Sequence, residues 1–184
     1  MARIPYPDPA ALPAELRDYL QRGNNMNILR MLSHASPGVF DGFNRLSQGL
    51  MIRSPLDAAL REVAILRVGY LSKAAYEIYH HEAIGRAVGL TEPQLRAIER
   101  GQPDPALTPA QLAVLRFTDD TVLNVRAGDA TLAEVRKFLG DADLVDLIMV
   151  IGCYMMVARL LETTGVEIDE LPLSLRTLGT GSTS

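Results

Sequence analysis

The sequence predicts an all-α protein folded as one compact domain. Three observations carry this: helix-start signals recur along the chain, glycines fall where helices should stop, and no run of alternating β-branched residues is left over for strands. The 184 residues suit a single domain with a substantial core.

Residues 1–13 hold Pro5, Pro7, Pro9 and Pro13 and read as an extended surface arm. Helices are then expected over about 14–22, 25–33 and 37–52. Ser54 before Pro55 reads as the cap of a helix over 56–71, with the proline in its first turn. A helix over 73–89 follows. Thr91 with Gln94, Thr108 with Gln111 and Thr131 with Glu134 are capping boxes for helices over 92–100, 109–126 and 131–139. Asp143 and Asp146 favour the start of a last helix over 143–165, where the positive end of the dipole welcomes acids. Gly101, Gly128 and Gly140 mark stops. The helical domain is expected to span 14–170, with 171–184 a frayed tail that has no apolar anchor.

Composition narrows the function. Hydrophobic residues make up 48% and charged residues 22%, ordinary values for a globular chain. A net charge of -4, with no basic-aromatic strip, gives no footing for nucleic acid. The lone Cys153 rules out an internal disulfide, a multi-cysteine zinc site and a C-x-x-C dithiol. The N-terminus has no apolar signal core, and the uncharged run Leu147–Ala158 is shorter than the roughly 20 residues of a membrane span. That run is expected to lie in a core or an oligomer interface, and the default location is the cytoplasm.

Candidate chemistry sits on two helices. Ala58–Leu71 is apolar all round apart from Arg61, Glu62 and Arg67, so most of it should be buried. Glu62 has no cation at pairing distance on its own helix. It is either a structural partner of an arginine elsewhere or a catalytic acid or base. On the next helix Glu77 and His81 are four apart, so their side chains can meet, a useful arrangement for proton transfer near neutral pH. Such pairs are as often structural. His80 diverges from His81, and no H-E-x-x-H spacing exists, so neither metal nor cofactor is expected. His34 sits at a helix end, where a histidine complements the dipole. Tyr154 and Arg159 lie in the most apolar helix, and a buried arginine must pair with a carboxylate or reach an anionic ligand.

The stretch Arg61–Gly69, followed by Tyr76, Glu77 and His81 and then Gly89-Leu90-Thr91, resembles the carboxymuconolactone decarboxylase family of the alkylhydroperoxidase D-like superfamily. The resemblance implies an all-helical fold with an antiparallel pair of motif helices, assembly as trimers or hexamers, and a small-molecule pocket beside those helices. Glu62 and His81 match the outer members of the redox branch's motif. Its cysteine positions hold Ala74 and Glu77, however, and the intervening histidine position holds Tyr76. Peroxidase chemistry is therefore disfavoured. The decarboxylase-like branch keeps Tyr76, Glu77 and His81, with Ile78 in place of a tryptophan.

The leading expectation is a cofactor-independent lyase or isomerase acting on a small organic acid, lactone or related ring. His81 moves the proton, and Glu62 and Glu77 orient or share it. Tyr76, His80 and His34 join the substrate-binding set, while Arg67 or Arg159 grips a substrate carboxylate. The alternative is a non-catalytic oligomeric scaffold or ligand-binding member.

Overall fold

The computed structural model describes residues 2–22 and 25–173. Among them nine α-helices account for the regular structure, apart from a short 3-10 turn and a π turn, and there is no strand. They are α1 (Ala14–Gln21), α2 (Asn27–Leu32), α3 (Pro37–Gln48), α4 (Ala58–Ser72), α5 (Ala75–Ala87), α6 (Glu92–Arg100), α7 (Pro109–Asn124), α8 (Asp129–Val135) and α9 (Asp141–Thr164). Of the expected 171–184 tail, residues 171–173 are described and 174–184 lie outside the described residues.

The hub is α4, which packs against α5, α6, α7 and α9. Val63, Ala64, Ile65, Leu66 and Val68 are all fully buried, as a helix without a polar face requires. Lys73, in the left-handed region at φ 54°, reverses the chain into α5. The two helices then run antiparallel: the backbone at Gly69 meets Ile78, and further back Glu62 meets His81.

Helix starts follow the sequence where the cap is purely local. In the boxes at Thr91 and Thr108, Gln94 and Gln111 accept from the capping backbone N–H, each at 2.9 Å. Three expected starts shift. Asp57, not Ser54, caps α4 by accepting from the Leu60 N–H at 2.9 Å. The Ser54 hydroxyl accepts from the Leu56 N–H at 3.2 Å and donates to Asp146 on α9 at 2.5 Å. Gly128, not Thr131, is the N-cap of α8, positioned by its N–H bond to Asp120 at 2.8 Å. Gly140 caps α9, so Asp141 and Asp143 occupy its first turn while Asp146 is free to bind Ser54. A π turn over Gly49–Arg53 ends α3 early.

By length and composition α9 could cross a membrane, the same test that a core helix passes. One face, with Leu147, Val150, Ile151 and Leu161, is buried in the bundle. The other leaves Val145, Ile148, Met149 and Met156 between 43% and 58% exposed.

Arg67 ties three helices together. It donates to Asp119 on α7 at 2.5 Å and to the carbonyls of Ile98 and Glu99 at the end of α6. These carbonyls have no partner within their own helix, so a guanidinium suits them. Gly101 makes room for it: the residue sits at φ +68°, and a Cβ there would fall 2.0 Å from the guanidinium. Gly101→Ala should therefore cost at least about 2 kcal/mol, from left-handed strain plus displacement of Arg67, as read by chemical denaturation.

Candidate active site

Five parts of the chain meet around one cavity of about 100 Å³. From α5 come Tyr76, Glu77, His80 and His81, and from α9 come Cys153 and Tyr154. Ile28 and Phe43 supply apolar wall from α2 and α3, and Leu173 reaches in from the segment beyond α9. No lysine or arginine lines it among the described residues.

At the inner end lies Glu62, with no exposure. Its Oε2 accepts from His81 Nδ1 at 2.7 Å, and the Arg61 guanidinium stands 3.6 Å from Oε1 without a hydrogen bond. A carboxylate can only accept, so the proton on His81 is at Nδ1 and the Nε2 lone pair is left available as a base. The imidazole is held edge-on by the Tyr154 ring, with centroids 4.8 Å apart at 87°. Tyr154 in turn donates to the Met51 sulfur at 3.2 Å, and burial raises its phenol well above the ordinary value.

Glu77 is 2% exposed, and neither of its oxygens has a hydrogen-bond partner. Burial, reinforced by the charges of Glu162 and Glu62, raises its carboxyl well above 4.5. The shift favours its protonated form, which can donate a hydrogen bond. Gly69 on α4 makes the space: a Cβ there would sit 3.3 Å from Glu77 Oε1.

The expected contact between Glu77 and His81 is thus replaced. His81 pairs across the helix hairpin with Glu62, which offers an ionised acceptor, while Glu77 faces the cavity alone. The neighbouring histidines serve separate networks. His80 Nε2 donates to Asp169 at 3.1 Å, and its Nδ1 accepts from the Leu173 N–H at 2.8 Å. The Tyr76 hydroxyl also donates to Asp169. Burial opposes the Asp169 charge, but the bonds from His80, Tyr76 and the Asn27 N–H outweigh it and hold its carboxyl below the ordinary range.

The remaining sequence candidates lie elsewhere. Arg67 is committed to Asp119 and the α6 carbonyls. Arg159 is exposed and donates back to the Met155 carbonyl at 2.5 Å. His34 is exposed and bonds the Pro5 carbonyl at 2.8 Å, pinning the N-terminal arm. Cys153 lines the cavity, but burial, with Glu77 beside it, pushes its thiol up to about 11. Asp169 and Leu173 carry no local signal in the sequence, because they act from an irregular segment whose partners are some 90 residues away.

Residues 37–120 match the Carboxymuconolactone decarboxylase family. No curated protein matches the chain. Among solved structures, an uncharacterized peroxidase-related protein from Ralstonia eutropha JMP134 is 21% identical, with a TM-score of 0.78 over 98% of this chain and 96% of that one. A peroxidase-related protein from Silicibacter sp. TM1040 is 19% identical, with a TM-score of 0.73 over 97% and 94%. The debrominase Bmp8, as a cysteine-to-alanine variant in complex with 2,3,4-tribromopyrrole, is 14% identical, with a TM-score of 0.72 over 97% of each chain.

The neutral state of Glu77 has a thermodynamic signature. Above its ordinary value of 4.5 the unfolded chain loses this proton while the folded protein keeps it. The folded state then binds more protons, so stability falls as pH rises, by up to about 1.4 kcal/mol per pH unit until the folded group also ionises. Glu77→Gln should remove this slope, which denaturant titrations from pH 4.5 upward will show.

Proposed function

We propose that the chain, whose residues 37–120 match the carboxymuconolactone decarboxylase family, is a cofactor-independent isomerase or lyase that moves a proton next to a carbonyl group in a small ring compound. One observation carries the reading: the oriented base His81 and the neutral acid Glu77 open on the same apolar cavity. His81 Nε2 takes a proton from the carbon beside the carbonyl, and the electron pair moves onto the carbonyl oxygen. Glu77 donates a hydrogen bond to that oxygen as its charge develops, which a neutral acid does best in a site without water. Glu62 keeps Nδ1 protonated and stabilises the imidazolium that forms. The proton then returns to another carbon, giving an isomer, or the intermediate loses a group, giving a lyase.

The substrate class follows from charge and size. A free carboxylate would lie in this cavity without a cation, at a cost of several kcal/mol. An uncharged lactone or related ring therefore fits better than an organic acid. An apolar cavity of about 150 Å³ holds benzene, so about 100 Å³ suits a ring of five or six atoms. The debrominase of the same fold is in complex with a five-membered ring, tribromopyrrole. Thiol peroxidase chemistry is disfavoured because the one cysteine is held as a thiol and has no second sulfur to close a disulfide.

Self-association as a trimer or hexamer belongs to the same proposal. Its natural surface is the outer stripe of α9, where Val145, Ile148, Met149 and Met156 are exposed and nothing stands within 4 Å of a Cβ built at Gly152.

α-Angelica lactone tests the chemistry. The protein should catalyse transfer of its ring proton from C3 to C5, and His81→Gln should lower that rate by about 10²–10⁴-fold with the circular dichroism unchanged. An equal rate in His81→Gln refutes the assignment and leaves a buried network that only holds α4 to α5. For assembly, Met149→Glu should convert a trimer or hexamer into a monomer in sedimentation velocity; a monomeric parent protein refutes that part.

A further inference from the structure

Past Gly165, which ends α9 at φ +67°, the described residues 166–173 form no helix or strand, yet they are fastened at several points. The Glu167 N–H donates to the Tyr6 hydroxyl at 3.2 Å, and its carbonyl accepts from Asn27 Nδ2 at 3.0 Å. Asp169 Oδ1 accepts from the Asn27 N–H at 2.9 Å, and Oδ2 accepts from both Tyr76 and His80. The Tyr79 hydroxyl donates to the Glu170 carbonyl at 3.4 Å. Leu173 then donates its N–H to His80 and places its side chain on the cavity wall.

What fastens this segment is polar. Ile168 and Leu171 are 47% and 79% exposed, so little apolar burial resists its opening. A stretch held by a few hydrogen bonds opens locally far more readily than the bundle beneath it. Asp169 is the centre of those bonds, and it bonds both the start of α2 and the cavity face of α5. His80 joins both ends of the fastening: its Nε2 proton goes to Asp169, which leaves Nδ1 to receive Leu173. Both nitrogens of His80 are thus occupied while the segment is closed, so His80 is a positioning residue and His81 is the base.

We propose that Val166–Leu173 is a movable wall of the cavity, that Asp169 is its latch, and that Leu173 sets the size of ring admitted. The proposal rests on the cavity being the ligand site. Closed, the wall seals the reacting groups from water; open, it exposes the cavity between α2 and α5.

Hydrogen exchange read by mass spectrometry, with no ligand present, tests the latch. Asp169→Asn keeps the shape but turns an N–H₂ toward the donors Tyr76 and His80, so exchange over 166–173 should speed up by about tenfold or more while α4 is unchanged. Equal exchange in the variant and its parent overturns the latch. Ligand-observed NMR with α-angelica lactone and the bicyclic coumarin tests the size limit. Leu173→Ala should tighten coumarin binding by about tenfold and leave the smaller lactone nearly unaffected. An unchanged preference, or no binding of either lactone to either protein, overturns the role of Leu173. The exchange experiment needs no turnover, so a failed reaction assignment and a failed latch give different results.

Discussion

Glu62 is fully buried, and a carboxylate taken out of water must recover its solvation from protein groups. It does so through His81 on the next helix and the Arg61 guanidinium beside it. This requirement fixes the register of α4 against α5, because a slip of one residue would leave the charge unanswered. It also fixes the histidine tautomer. Burial above all, then the charges of Glu162 and Glu62, raises the carboxyl of Glu77. An oriented imidazole and a carboxyl pushed toward its protonated form therefore line the same cavity.

The remaining architecture shields this arrangement. Because α4 is enclosed by α5, α6, α7 and α9, Arg61 and Glu62 on it are buried. Arg67, on the same helix but on another face, is drawn into holding α6 and α7 together. Two arginines six residues apart thus divide between electrostatics at the site and cohesion of the bundle.

Most of the fold was legible because helix periodicity and capping are local properties, and every expected helix has a counterpart within a few residues. The misplaced starts arose where another residue close by serves as the cap, as Asp57 does for α4 in place of Ser54. At the site, the participation of Glu62 and His81 could be read from motif spacing. The partnership between them could not, because the i,i+4 rule points to Glu77 and is blind to the hairpin that brings position 62 opposite position 81. Arg67 was expected to grip a substrate carboxylate; Asp119 takes it instead, from 52 residues away. Asp169 left no pattern, since an isolated acid in an irregular stretch acquires meaning only from what it touches.

The single cysteine gives the molecule a chemical address. Cys153 is the only sulfhydryl in the chain, and it lies in the cavity wall next to Glu77. With its thiol pushed up to about 11, only about one molecule in a thousand carries the thiolate at pH 8. Alkylation is therefore slow enough to be followed by hand, and it attaches a fluorophore or a spin label at one defined place without any engineering. The labelling rate becomes a clock for how often reagent reaches the interior, and occupancy of the cavity can be watched as protection of a single sulfur.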